Sequence, residues 1–302
     1  MTQGRAWGVP GGATLALAIA LIVGGLPAAA RGASLLVEAR WLGSRLGDHK
    51  VVVLHVGNHA GYDKAHIPGA RQISEEDVAQ PHDMARGDLM LELPEPATLR
   101  AKLESLGVSD DSEIVVYAGA DTPLQSATRI VFTLDYLGLG GRTSLLNGGL
   151  AAWQQAGLGT SSAPAVVTPG RLRERPVSPV VVDAAFVQSL SGRAHHVLVV
   201  ARAPVYYNGT EPTFGKRGHI PKAVNIPFSS IGDGRGRVSV PELKRTFEAA
   251  GIHAGDTVVA YCHVGQQATA IVLAARLLDI PVMLYDGAFQ DWATRNRGAV
   301  EP

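Results

Sequence analysis

The feature that most constrains this chain is an internal duplication, because a chain that repeats itself at domain length must fold as two similar units. Ala65-His66-Ile67-Pro68-Gly69-Ala70-Arg71-Gln72-Ile73 recurs as Gly218-His219-Ile220-Pro221-Lys222-Ala223-Val224-Asn225-Ile226. Residues 99–117 then match 243–261: an amphipathic helix, a glycine at 107 or 251, an acidic turn, and an apolar strand ending in tyrosine. Gln125-Ser126-Ala127-Thr128 matches Gln266-Gln267-Ala268-Thr269, each opening an apolar helix. Asn147-Gly148-Gly149-Leu150-Ala151-Ala152-Trp153 matches Asp286-Gly287-Ala288-Phe289-Gln290-Asp291-Trp292. Four matched blocks in one order make a duplicated domain.

Within each copy, short β-rich runs alternate with helical runs. In the first, strands are predicted at 51–56, 114–117 and 144–146, and helices at 99–106 and 127–137. That alternation predicts an α/β fold in which each unit is a mostly parallel sheet with helices on both faces. The units span residues 35–157 and 180–300, and the proline-bearing stretch 158–179 reads as a linker. With 46% hydrophobic side chains, each unit can bury a core of its own.

The N-terminus suggests export. Arg5 is the one charge in the first ten residues, residues 13–23 form a compact apolar run, and Ala28-Ala29-Ala30 supplies a small-residue site. This is the pattern of a secretory signal peptide over residues 1–30, cleaved near Ala30, which would place the protein in a periplasm. The apolar run is short for a membrane span of roughly 20 residues. The uncharged window 9–30 leaves an uncleaved anchor as the alternative. Formal net charge is zero, so neither a nucleic-acid partner nor a stable membrane partner is expected.

Cys262 is the one cysteine among 302 residues, which excludes an intrachain disulfide and a cysteine-based zinc cluster. It ends the apolar run 258–261 and opens a short loop, His263-Val264-Gly265-Gln266-Gln267, before the apolar helical run 268–278. A strand–loop–helix turn gathers backbone N–H groups and a positive helix end into one bowl. A thiol at its lip should have a lowered pKa. The plain alternative is an inert buried thiol.

The combination of duplicated apolar strand, His-Ile-Pro element, strand-Cys-loop-helix and Gly-x-x-x-Trp ending resembles the tandem rhodanese family of sulfurtransferases, over residues 35–300. The resemblance implies that the C-terminal copy is catalytic and the N-terminal copy a degenerate partner. Ala118 stands where Cys262 stands in the second copy, and the loop from Ala118 to Gln125 is three residues longer than that from Cys262 to Gln266. The resemblance also implies a Cys262 persulfide, filled by a small-molecule donor and emptied by a thiol, cyanide or a protein acceptor, with no cofactor. Arg202 matches the arginine that the family places near the anionic donor, where its fork suits an oxygen pair; Gly57 takes that place in the first copy. His263, Val264, Gly265, Gln266, Gln267 and Ala268 complete the expected donor site, with Gly265 permitting the turn.

The loop departs from both family subtypes. The thiosulfate type has arginine and lysine where this chain has His263 and Val264. Of the mercaptopyruvate motif Cys-Gly-Ser-Gly-Val-Thr-Ala, only Cys262, Gly265 and Ala268 match. Thiosulfate is the default donor expected and 3-mercaptopyruvate the second. His263 could lend the donor a pH-dependent charge, or could be a solvent-exposed loop residue. A related phosphatase would need an arginine six after the cysteine, where Ala268 stands. A persulfide carrier without turnover is the remaining alternative. His66 and His219 read as turn histidines bonded to backbone, Trp153 and Trp292 as core residues, and Glu75-Glu76-Asp77 as a helix start or solvated face.

Overall fold

Val51–Val56 is an apolar run broken by one histidine, and all six residues are buried. A strand without alternation is satisfied in the middle of a parallel sheet covered on both faces. It takes that place in the computed structural model of the chain, which describes Met1 and residues 34–190 and 193–302. The expected signal peptide, Met1 aside, lies outside the described residues.

Strands β1 (Leu36–Val37), β2 (Val51–Val56), β3 (Arg71–Ile73), β4 (Glu113–Ala118) and β5 (Thr143–Leu146) form one sheet in the order β1-β5-β4-β2-β3. The second sheet uses β6 (Val181–Val182), β7 (His196–Val200), β10 (Val224–Asn225), β11 (Thr257–Tyr261) and β12 (Val282–Tyr285). Its order, β10-β7-β11-β12-β6, is the first sheet's order read from the other edge. Every pairing in both sheets is parallel. Between β7 and β10 lies a small antiparallel hairpin, β8 (Pro212–Thr213) and β9 (Lys216–Arg217).

Helices α1 (Ala39–Gly43), α2 (His59–Lys64), α3 (Pro96–Ser105), α4 (Leu124–Tyr136) and α5 (Gly149–Gln155) connect the first sheet. Their counterparts are α6 (Ala184–Ser189), α7 (Pro204–Tyr207), α8 (Val240–Ala249), α9 (Ala268–Leu277) and α10 (Ala288–Thr294). Ser126 to Leu134 of α4 and Ala268 to Ala275 of α9 are buried without a break. Helices buried over whole turns, polar positions included, need neighbours on every side. These two cover each other in the centre of the molecule, within an apolar core that runs from Val52 and Leu54 to Val258 and Ala260. Separate clusters fill the outer faces of the two sheets.

The contacts between halves are reciprocal. Thr128 Oγ1 lies 2.7 Å from Thr269 Oγ1, and these are matched residues of the repeat. Leu93 N donates to Asp286 Oδ2 at 2.9 Å, and Val238 N to Asn147 Oδ1 at 2.7 Å. Such reciprocity defines an approximate two-fold relation. The proline-bearing stretch between the halves is tied to the first: Gly170 N donates to Glu104 O at 2.7 Å and Ser178 N to Tyr136 O at 2.8 Å.

The His-Ile-Pro elements do the same work twice. His66 and His219 each exchange backbone hydrogen bonds with the chain closing their own half, Ser161 and Glu301. His66 Nδ1 lies 2.7 Å from Tyr62 O, and His219 Nδ1 2.8 Å from Tyr207 O. The following N–H, of Ile67 or Ile220, donates to the hydroxyl of Tyr117 or Tyr261 at 2.9 or 3.0 Å. These tyrosines end or nearly end the strands that lead into the two loops. Trp153 and Trp292 are buried, each donating its indole N–H to a backbone carbonyl.

Candidate active site

β11 delivers Cys262 to the carboxyl end of the second sheet, between β7 and β12, and α9 begins six residues later. The loop turns through Gly265 at φ +85°, a left-handed conformation that glycine adopts without a Cβ penalty. Its carbonyls are drawn away from the sulfur. Phe289 N of α10 donates to Cys262 O at 3.1 Å, and Gln290 N to His263 O at 3.0 Å. Thr269 N and Ala270 N take Gln266 O and Gln267 O, both at 3.1 Å. With carbonyls outward, amides face inward: the N–H groups of Ala268, Val264, Gly265 and Gln267 converge on the thiol.

The bowl is present, but Cys262 does not sit at its lip. The residue is fully buried, and burial pushes its thiol up against the opposing pull of the four amides. The lowered pKa expected from the loop is therefore corrected: desolvation of the charged form outweighs the amides in this closed arrangement. The same holds for His263. Burial first, and the Arg202 cation second, hold its ring down to about 4, so it is neutral at neutral pH and lends no charge. Nor is it a free surface residue, because its ring packs edge-on against Tyr206 at 4.7 Å.

Arg202 follows β7 and is 1% exposed. Its Cζ stands 4.0 Å above the Phe289 ring, and one fork nitrogen donates to Gly218 O. Its buried Nε has no hydrogen-bond partner. Burial lowers its pKa most, while Tyr261 and Cys262 favour its charge. One cation with a spare donor thus stands near the sulfur. Val264, Gly265, Gln267 and Ala268 meet the Cys262 thiol through their backbone N–H groups, whereas Gln266 turns its side chain away. Its Nε2 donates to Glu75 of the first half at 2.7 and 2.9 Å. Glu75 is accordingly not a solvated acid: burial raises its pKa, countered by Gln266 and Ser126. Arg276 also faces the first half, 3.3 Å from Asp135.

Sequence reasoning missed the first-half residues behind this loop. Arg129, 1% exposed, donates through Nη1 to Gly265 O at 3.4 Å and to Asp286 Oδ1 at 2.7 Å. Its signal was the one positive charge inside the largely apolar helical run 127–137. In the first copy, Gly57 leaves room that His55 fills: a Cβ on Gly57 would lie 3.0 Å from His55 Nε2. His55 Nδ1 bonds the Tyr117 hydroxyl at 2.9 Å, and burial lowers its pKa to about 4.

A pH dependence follows. The unfolded chain protonates His55 below 6.5 while the folded chain resists to about 4, so acid favours unfolding across that window. The raised carboxyls of Glu75, Glu92 and Asp135 pull the other way. The test is therefore a difference: wild type should lose stability relative to His55→Leu as pH falls from 6.5 to 4, read from urea midpoints. A constant difference would refute the assignment.

Among the described residues, no group of three or more His, Cys, Asp or Glu is placed to hold a metal ion. No helix among them is long and apolar enough to cross a membrane.

Comparison with known proteins agrees with this geometry. The rhodanese-like domain family matches residues 38–156 and 183–295. A Pseudomonas aeruginosa protein provisionally named 3-mercaptopyruvate sulfurtransferase is 33% identical over 281 residues, covering 88% of this chain and 97% of that protein. A Mycobacterium tuberculosis protein provisionally named thiosulfate sulfurtransferase is 28% identical over 287 residues, covering 88% and 95%. The crystal structure of SseA from Escherichia coli, a 3-mercaptopyruvate sulfotransferase with the rhodanese fold, superposes with a TM-score of 0.74 at 28% identity, covering 84% of this chain and 98% of that one. Two matched domains, the shared strand order and relatives aligned along nearly their whole length place this chain in the rhodanese family of sulfurtransferases, as a tandem-domain member.

Proposed function

We propose that the chain transfers a sulfane sulfur atom through a persulfide on Cys262. The thiol gives its proton to solvent and the thiolate attacks the donor's outer sulfur. A new S–S bond forms as the donor's own bond to that sulfur breaks, and the electron pair leaves with the remnant: sulfite from thiosulfate, the enolate of pyruvate from 3-mercaptopyruvate. A thiolate or cyanide then takes the outer sulfur and restores the cysteine. The observation that carries this reading is the ring of four amides converging on the one thiol. Such preorganised donors stabilise the anionic persulfide and the developing charge on the leaving group.

The charge count near the sulfur favours 3-mercaptopyruvate over thiosulfate. Among the described residues, Arg202 is a buried guanidinium without a carboxylate partner, the Arg129 cation behind the loop is paired with Asp286, His263 is held neutral, and Val264 carries no charge. One cation matches a monocarboxylate; a dianion would need a second. The Pseudomonas relative carries the name of the same donor.

The test is a donor panel of thiosulfate, 3-mercaptopyruvate and glutathione persulfide, with mass spectrometry of the Cys262 peptide. We expect a gain of one sulfur and a higher kcat/KM for 3-mercaptopyruvate than for thiosulfate. Arg202→Ala should raise the donor KM about 10- to 100-fold, the worth of one charged hydrogen bond. No mass gain with any donor would overturn the reading, and loading without repeated turnover would indicate a carrier.

A further inference from the structure

We infer that Arg129, in the half of the molecule without a cysteine, is a positioning residue for the sulfur-holding loop: it fixes the Gly265 carbonyl outward so that neighbouring N–H groups stay aimed at Cys262. The inference rests on the sulfur-transfer reading of Cys262.

The loop carbonyls of Cys262, His263, Gln266 and Gln267 are held by amides of the second half, but that of Gly265 is held from the first. It sits at the loop's softest point, since Gly265 has no Cβ and a φ of +85°. In a trans peptide the carbonyl and the next N–H point in opposite directions. Holding Gly265 O toward Arg129 therefore fixes the plane of the Gly265–Gln266 peptide, and with it the flanking N–H groups of Gly265 and Gln267, two of the four that favour a charged sulfur.

Arg129 is built for this task. Its guanidinium reaches three acceptors on separate segments, Gly265 O, Asp286 Oδ1 and Leu91 O, which suits a rigid fork and not a point charge. Asp286 is fixed in turn by Leu93 N at 2.9 Å. Position 270, which matches 129 in the repeat, is alanine. The arginine thus serves the cysteine-bearing loop and has no reciprocal partner on the Ala118 loop, although the two-fold relation holds at Thr128 and Thr269.

The experiment uses the full chain and two variants. Arg129→Lys keeps the charge and loses the fork. Arg129→Met with Asp286→Asn removes both charges, so no orphaned carboxylate is left to unfold the protein. The first readout is the pH midpoint of Cys262 thiolate absorbance, taken as a difference against Cys262→Ser; the second is steady-state turnover of 3-mercaptopyruvate. In folded variants the midpoint should rise, and kcat should fall about 100-fold with KM nearly unchanged, the usual cost of a group displaced by about 1 Å. A wild-type midpoint and kcat in both folded variants, or a change confined to KM, would overturn the inference. If wild type never gains sulfur, the functional reading fails, and the absorbance midpoints still decide what Arg129 does to the thiolate.

Discussion

Cys262→Ser should fold and bind donor yet gain no sulfur, with turnover reduced on the order of 10⁶-fold, the scale seen when a nucleophile is removed from an enzyme. The fold should survive because the four amides around position 262 can donate to a serine oxygen, so the buried hydroxyl is satisfied. Serine fails chemically: an alkoxide is far harder to form than a thiolate, and it cannot make an S–S bond. Intact-mass spectrometry after donor treatment gives the answer, since no other cysteine exists in the 302 residues. Sulfur gained by the serine variant would refute the assignment of the nucleophile.

Gly265→Ala should be nearly as damaging for a different reason. At φ +85° an L-residue pays about 1–2 kcal/mol for the left-handed conformation. The added methyl would also lie 2.8 Å from Asp286 O, 3.0 Å from Asp286 Oδ1 and 3.3 Å from Arg129 Nη1. Backbone and a buried ion pair cannot give way as a flexible surface side chain can. The loop itself must shift, disturbing the amides on the sulfur, and kcat should fall about 100-fold or more. Gly234→Ala is the control, with nothing within 4 Å of the new methyl and no left-handed φ. Equal activity of the two variants would show that the loop tolerates displacement.

The parts of this molecule that depend on local pattern were readable in the sequence. The apolar runs became central strands, and His66 and His219 became backbone-bonded turn residues. The run after Cys262 became α9, one residue shorter than predicted. Three things were not readable, all set by packing across the molecule. Cys262 was expected at the lip of its loop, with an inert buried thiol as the alternative, and His263 either to lend a pH-dependent charge or to face solvent; the closed loop buries the cysteine fully and half-buries the histidine, which reverses the expected shift of the thiol and removes the charge on the ring. Glu75-Glu76-Asp77, read as a helix start or solvated face, does open a short 3-10 helix over Glu76–Val78, but that Glu75 also receives Gln266 from the other half was not readable. Arg129 and Asp286 lie 157 positions apart, and no spacing rule joins residues that meet only when two halves close on each other.

The Thr128–Thr269 contact has a consequence for how such a molecule can change over time. Matched residues touching across a shared axis are what a pair of identical subunits would present, so the chain has the design of a homodimer welded into one polypeptide. Welding breaks the obligation to stay alike: a substitution in one copy no longer appears in the other. One half can then hold the thiol at 262 and an alanine at 270 while its twin has Ala118 in the place of the cysteine and an arginine at 129 that reaches across to Gly265.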